Sequence, residues 1–155
     1  MATRIITQYG KDPILKKVCR SQLTFDDRLA TILDDMAETM YAADGVGLAA
    51  PQIGILRRYC VIDIGEGIVE LINPVIVEKS GEQTGQEGCL SVPGVYENVT
   101  RPMYVKVRAQ NRNGENITVE GEGLMARALC HEIDHLDGKM FMNIVTEWLE
   151  PEDEE

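Results

Sequence analysis

The 155-residue chain contains no apolar run of roughly 18 residues, the length a helix needs to cross a bilayer. Its start, Met1 to Gln8, lacks the apolar stretch of a signal peptide. It has no C-x-x-C pair: Cys19, Cys60, Cys89 and Cys130 are scattered, a pattern that in a reducing compartment favours free thiols or metal ligands over disulfides. Any one of them, taken alone, is core filler before it is a ligand. Positive charge is scarce, with 15 Lys and Arg against 26 Asp and Glu. The net charge of -11 creates a long-range field that repels nucleic acid and anionic membrane. No internal repeat and no long linker divides the chain. These absences leave one globular, cytoplasmic domain without a direct nucleic-acid or membrane partner. With 44% hydrophobic residues, it is long enough to bury about 70% of the surface of its unfolded chain.

What the chain does have is concentrated in one stretch. Leu124, Met125, Ala126, Ala128, Leu129, Cys130, Ile133 and Leu136 leave no polar stripe on a helical projection, which predicts a buried helix ended by Gly138. Within it stand His131, Glu132, Asp134 and His135. Burying them is costly unless their polarity is met by partners or by a metal. Residues four apart share a helix face, so His131 and His135 can offer two imidazole nitrogens to one ion, with Glu132 at its flank as a general base. The plainer alternative is the polar end of a core helix.

Upstream, Thr24-Phe25-Asp26-Asp27 reads as a capping box before an amphipathic helix whose inner face is Leu29, Ile32, Leu33, Met36 and Met40. Asp26, Asp27, Asp34, Asp35 and Glu38 read as its solvated face, and Gly45 as its stop. Lys11-Asp12-Pro13 is a turn with no evident chemistry. Gly45 to Gly54 is either a tight connection or a place where a substrate backbone approaches closely, with Gln52 available as a hydrogen-bond donor. Arg58 to Ile64 is rich in strand formers, and Ile68 to Val77 supplies one or two strands, with Asn73-Pro74 marking an edge or a break. Gly85 to Gly94 reads as a turn with Cys89 at its middle. The two helix histidines lack a third protein ligand, and catalytic zinc-type sites use three. Tyr104–Arg108 and Ile117–Glu120 flank Asn111-Arg112-Asn113-Gly114 as a hairpin. A short element over Phe141 to Trp148 precedes an acidic tail.

Three stretches, Gly45-Val46-Gly47-Leu48-Ala49-Ala50-Pro51-Gln52, Glu87-Gly88-Cys89-Leu90-Ser91 and His131-Glu132-Ile133-Asp134-His135, resemble the three signature motifs of peptide deformylases, in the family's order. The resemblance implies an α+β fold of mixed or antiparallel strands wrapped around the buried helix, plus the N-terminal amphipathic helix. It implies one catalytic domain over residues 1–149, followed by the tail at 150–155. It further implies an enzyme that removes the formyl group from N-terminal formylmethionine of nascent polypeptides, using iron(II) that zinc or nickel can replace. By the same resemblance Cys89, His131 and His135 hold the metal and Glu132 is the acid/base. Gln52 and the Leu90 backbone N–H stabilise the oxyanion, and Glu87 pairs with Arg101 as scaffold. Val46, Gly47, Leu90 and Ala128 are expected along the substrate.

The chain departs from the family pattern at Cys130, where glutamine is common, and at Arg127, where an apolar side chain is expected. Its acidic tail also differs from the basic C-terminal helix by which some members dock on the ribosome, so any ribosome contact is expected to be transient and not tail-mediated. Two rivals remain. An H-E-x-x-H metallopeptidase needs a downstream ligand, for which Glu147, Glu150 and Glu152 are the candidates. A noncatalytic structural metal site could instead use Cys89, Cys130, His131 and His135, although neighbours on a helix point about 100° apart.

Overall fold

The computed structural model describes residues 2–147, so the acidic tail and Trp148 lie outside the described residues. The first long element, α1 (Asp27–Ala42), starts where Asp26 accepts a hydrogen bond from the Leu29 backbone N–H at 3.0 Å. Asp26, not Thr24, is therefore the cap, since it meets one of the donors that the first helical turn leaves free. Leu29, Ile32, Leu33, Met36 and Met40 form the buried face. One acidic residue departs from the expected solvated face: Asp35 is buried, and it accepts from Arg4 Nη2 and the Ala2 backbone N–H, each at 2.8 Å.

The larger sheet runs through β1 (Gly47–Ala49), β2 (Tyr59–Ile62), β3 (Val69–Ser80), β6 (Tyr104–Gln110) and β7 (Asn116–Glu122). The strand order is β1-β2-β3-β6-β7, with each neighbouring pair antiparallel. Asn73-Pro74 neither breaks β3 nor puts it at an edge, because β3 is one strand lying between β2 and β6. The pairing skips from Ile72 to Val75, so the proline, which has no N–H to donate, sits in a bulge. Asn73 takes the left-handed conformation there, φ 55°. The expected hairpin at Asn111–Gly114 joins β6 to β7.

The smaller sheet has the order β4-β5-β8, built from β4 (Gln83–Cys89), β5 (Val92–Arg101) and β8 (Val145–Glu147). The stretch read as a turn around Cys89 is mostly strand: Cys89 is the last residue of β4 and pairs with Val92 across a two-residue turn. Gly85 pairs with Val99, whereas the register shifts at Gly88, between Glu87 and Cys89.

The last helix, α2 (Leu124–Leu136), packs on β1, β2, β6 and β7 and also touches β5 of the smaller sheet. Both faces of β2 are covered. Cys60 and Ile62 join Ala126, Leu129, Ile133 and Leu136 of α2 in one core, while Tyr59 and Val61 join the α1 face in another. That is why the strand reads as a continuous apolar run rather than an alternating one. The helix is not buried on every side, as Leu124 is 53% exposed. Gly138 follows its end in the left-handed region, where a Cβ would come within 2.7 Å of the Lys16 carbonyl oxygen. Among the described residues, no helix is long and apolar enough to cross a membrane.

Candidate metal centre and active site

Cys89 at the end of β4 meets His131 and His135 on the inner face of α2, and their ligand atoms all lie within 4.8 Å of one another. Cys89 Sγ is 3.2 Å from His135 Nε2. His131 Nδ1 is committed to Glu87 Oε1 at 2.9 Å, which leaves its Nε2 for the cluster. The ring of Phe141 stacks behind His131 at 5.8 Å between centroids. Such a carboxylate behind a histidine fixes its tautomer and raises its basicity as a ligand. Cys130 lies elsewhere, in the core between α2 and the larger sheet, where burial pushes its thiol up to about 11. It is not part of the cluster.

The donor set suits a divalent ion. One sulfur and two imidazoles form a three-ligand group with room for a further ligand, as catalytic sites require. The electrostatics agree. Burial disfavours charge on both imidazoles, yet hydrogen bonds with Cys89 and Glu87 push His131 up to about 10. His135 is held well below its ordinary value by burial and by the charge on His131. The cluster thus favours one positive charge over two.

Glu132 stands beside the cluster, buried, with Oε1 lacking any hydrogen-bond partner. Burial pushes its carboxyl up to about 7, the range in which a group can both accept and return a proton. Gly47 makes room for it, since a Cβ there would overlap the carboxylate and lie 2.8 Å from Glu132 Cδ.

Gln52 is buried in the short helical turn after β1, and its amide is fixed at both ends. Oε1 accepts from the Ala49 backbone N–H at 2.9 Å, while Nε2 reaches Ser91 Oγ at 3.2 Å and Cys89 Sγ at 3.5 Å. The N-terminal segment, which carries no sequence signal of function, braces this turn. Thr7 N–H donates to the Gln52 carbonyl at 2.7 Å, and Tyr9 N–H to that of Ser91 at 2.9 Å. The contact of Ser91 with Gln52 and the bracing by this strap are not legible in the sequence, because both join remote segments.

Val46, Gly47, Leu90 and Ala128 all line one cavity of about 440 Å³, together with Gln52, Cys89, His131 and Glu132. Val46 is 46% exposed and belongs to the mouth, as do Tyr96, which the sequence did not mark, and Leu124, which it marked only as part of a buried helix. The ion pair expected between Glu87 and Arg101 is present as two bonds of 2.8 Å, and Arg101 also holds Asp134 at 2.6 Å. Burial works against the charge on Glu87, but the bonds from Arg101 and His131 hold its pKa at about 2. Arg127 adds a second guanidinium donor, 2.7 Å from Glu87 Oε2.

Of the downstream carboxylates a peptidase would need, Glu150 and Glu152 lie outside the described residues. Comparison with known proteins decides between the rivals. The family model for polypeptide deformylase matches residues 3–149. The peptide deformylase of Acetivibrio thermocellus is 58% identical over 155 residues, covering 100% of this chain and 91% of that protein. That of Caldanaerobacter subterraneus subsp. tengcongensis is 56% identical over 99% of this chain and 96% of its own. Among solved structures, the peptide deformylase of Thermotoga maritima superposes with a TM-score of 0.92 at 40% identity, over 95% of this chain and 100% of that one. Its fold is the same α+β arrangement of two helices and antiparallel sheets, and the chain described here belongs to the polypeptide deformylase family.

Proposed function

We infer that this chain hydrolyses the formyl amide at the N-terminus of newly made polypeptides, releasing formate and a free methionine amine. The observation that carries the reading is the cluster of Cys89, His131 and His135 beside Glu132, whose Oε1 has no hydrogen-bond partner, at a cavity of about 440 Å³. Residues 1–149 act as one catalytic unit organised around the helix that carries His131–His135, with 150–155 as an acidic tail. We take iron(II) as the native ion, with zinc or nickel as substitutes. Held by Cys89, His131 and His135, such an ion supplies Lewis-acid activation of water and of the formyl carbonyl.

The residues of the chain do the rest. Glu132 accepts the proton of the attacking water and returns it to the leaving nitrogen. The Gln52 amide and the Leu90 backbone N–H receive the formyl oxygen as the carbon becomes tetrahedral; losing one such donor costs about 2.7 to 4 kcal/mol of transition-state stabilisation. Gly47, Val46 and Leu90 border the extended peptide, and Ala128 borders the methionine side chain. The reaction takes place in the cytoplasm on nascent chains, with at most transient ribosome contact and with no direct partner in nucleic acid or membrane.

A formylmethionyl tripeptide tests this reading. Formate and a new amine should appear in equal amounts, whereas a peptidase cuts inside the peptide and a structural metal site does neither. Cys89→Ala should lose both bound metal and formate release, because two imidazoles alone make a weak site. Full metal content in that variant would place the third ligand elsewhere.

A further inference from the structure

Arg127 lies one helical turn before His131 and lines the same cavity. Its Nη1 donates to Glu87 Oε2 at 2.7 Å, to the Val99 carbonyl at 3.1 Å and to the Gly85 carbonyl at 3.3 Å. Those contacts pin the guanidinium against the paired strands β4 and β5. Gly85 accommodates it, since a Cβ at that position would come within 3.3 Å of Arg127 Nη2. The Nε and Nη2 groups make no hydrogen bond among the described residues. Neither is among the buried side-chain atoms without a partner, which are Glu97 Oε2, Glu132 Oε1 and His135 Nδ1. The free N–H groups therefore keep some accessible surface on a side chain that is 11% exposed, and Arg127 itself is part of the cavity lining.

Glu87 is the nearest acceptor that could absorb them, and it is already full. Oε1 takes Arg101 Nη2 and His131 Nδ1, while Oε2 takes Arg101 Nε and Arg127 Nη1. A carboxylate has about four such positions. The wall of the pocket thus carries a fixed cationic donor whose remaining N–H groups have no acceptor among the described residues.

We propose that Arg127 sets what this pocket admits: an N-formylated residue whose side chain ends in a hydrogen-bond acceptor, methionine sulfoxide as well as methionine. The inference rests on the deformylase reading. The thioether sulfur is a weak acceptor, whereas the sulfoxide oxygen is a strong one that an all-hydrocarbon pocket strips of water without compensation. With Arg127 in the wall, that oxygen exchanges water for a charge-assisted hydrogen bond. A chain-length mimic with no acceptor, norleucine, gains nothing from the guanidinium.

The test uses the metal-loaded enzyme and three peptides identical except for the formylated first residue: methionine, norleucine or methionine sulfoxide. The readout is the ratio of kcat/KM for sulfoxide to that for norleucine, which a general loss of activity or metal leaves unchanged. In Arg127→Met this ratio should fall about tenfold or more, as expected when a charged donor is removed from a pocket. Arg127→Gln, which keeps a neutral donor beside Glu87, should give an intermediate ratio and carries the comparison if the first variant does not fold. A ratio that is the same in parent and variants overturns the proposal, as does a parent enzyme that rejects the sulfoxide outright. A parent that releases no formate from the methionine peptide overturns the deformylase reading instead.

Discussion

Gly47 and Glu132 share one volume. The glycine is not in the left-handed region, so backbone freedom does not explain it; the constraint is the carboxylate, whose Cδ lies 2.8 Å and Cγ 2.9 Å from where a Cβ would stand. Gly47→Ala should therefore displace Glu132 and lower kcat by about 100-fold, the lower end of what a positioned acid/base contributes. Metal analysis of the same sample should read full occupancy; a variant with unchanged kcat would mean that Glu132 is free to move without loss. Glu132→Gln separates proton transfer from packing, because the amide keeps the shape but cannot shuttle a proton. It should retain the ion and lose about 100- to 10,000-fold in kcat. The sequence made Gly47 legible as a position of close approach, but it pointed to a substrate backbone. That a side chain of this protein is one of the things approaching depends on the packing of β1 against α2, a contact between segments some 80 residues apart in the chain that no local pattern encodes.

The elements were legible where a periodic pattern and its local stop agreed. The buried face of α1 was read residue by residue, but its cap was displaced by two positions because both Thr24 and Asp26 can accept from a first-turn N–H, and only the entry angle of the chain selects one. Asp26→Ala should destabilise the protein by roughly 1 kcal/mol and lower Tm by about 2 to 4 °C, with formate release at room temperature unaffected. A larger drop would mean that Asp26 supports more than the helix end. β3 was misread at Asn73-Pro74 for a different reason. Asn73 accepts from Gln22 N–H at 2.8 Å and donates to the Gln22 carbonyl at 2.9 Å and to Gln110 at 2.8 Å, and Arg58 holds the Pro74 carbonyl at 2.7 Å. These remote partners satisfy the bulge and let a proline lie inside a central strand. Composition alone does not reveal them. The Cys89 stretch shows the converse: its glycines were read as a turn, yet they serve strands that approach neighbouring side chains, with Tyr96 Cε1 lying 2.6 Å from a Cβ placed at Gly88.

Across the whole molecule, two attachments hold distant parts of the chain together, and each has its own titration. The N-terminal segment is tied to α1 through Asp35, whose pKa is lowered by the side-chain hydrogen bond from Arg4 and by the Ala2 backbone N–H. Because the folded pKa lies below the unfolded one, the tie is at full strength above about pH 4 and is lost as pH falls through the lower folded value. Backbone amide exchange at Arg4 should accelerate in that acid window ahead of the core, and Asp35→Asn should remove the pH dependence; simultaneous loosening of segment and core would show that the tie is not a separate unit. The second attachment joins β4 to α2 through the metal ligands. Adding ion to metal-free protein at about 100 times its Kd should stabilise the fold by about 2.7 kcal/mol, read as a rise in Tm that Cys89→Ala abolishes. The position of α2 also has a consequence for synthesis. Cys60, Ile62, Leu71, Val105 and Val107 find their cover in α2, a helix made only after all of the strands they belong to. A growing chain therefore presents this apolar sheet face bare until α2 has emerged, open to chaperones and to sticking, and the enzyme that trims other nascent chains passes that interval as a vulnerable nascent chain itself.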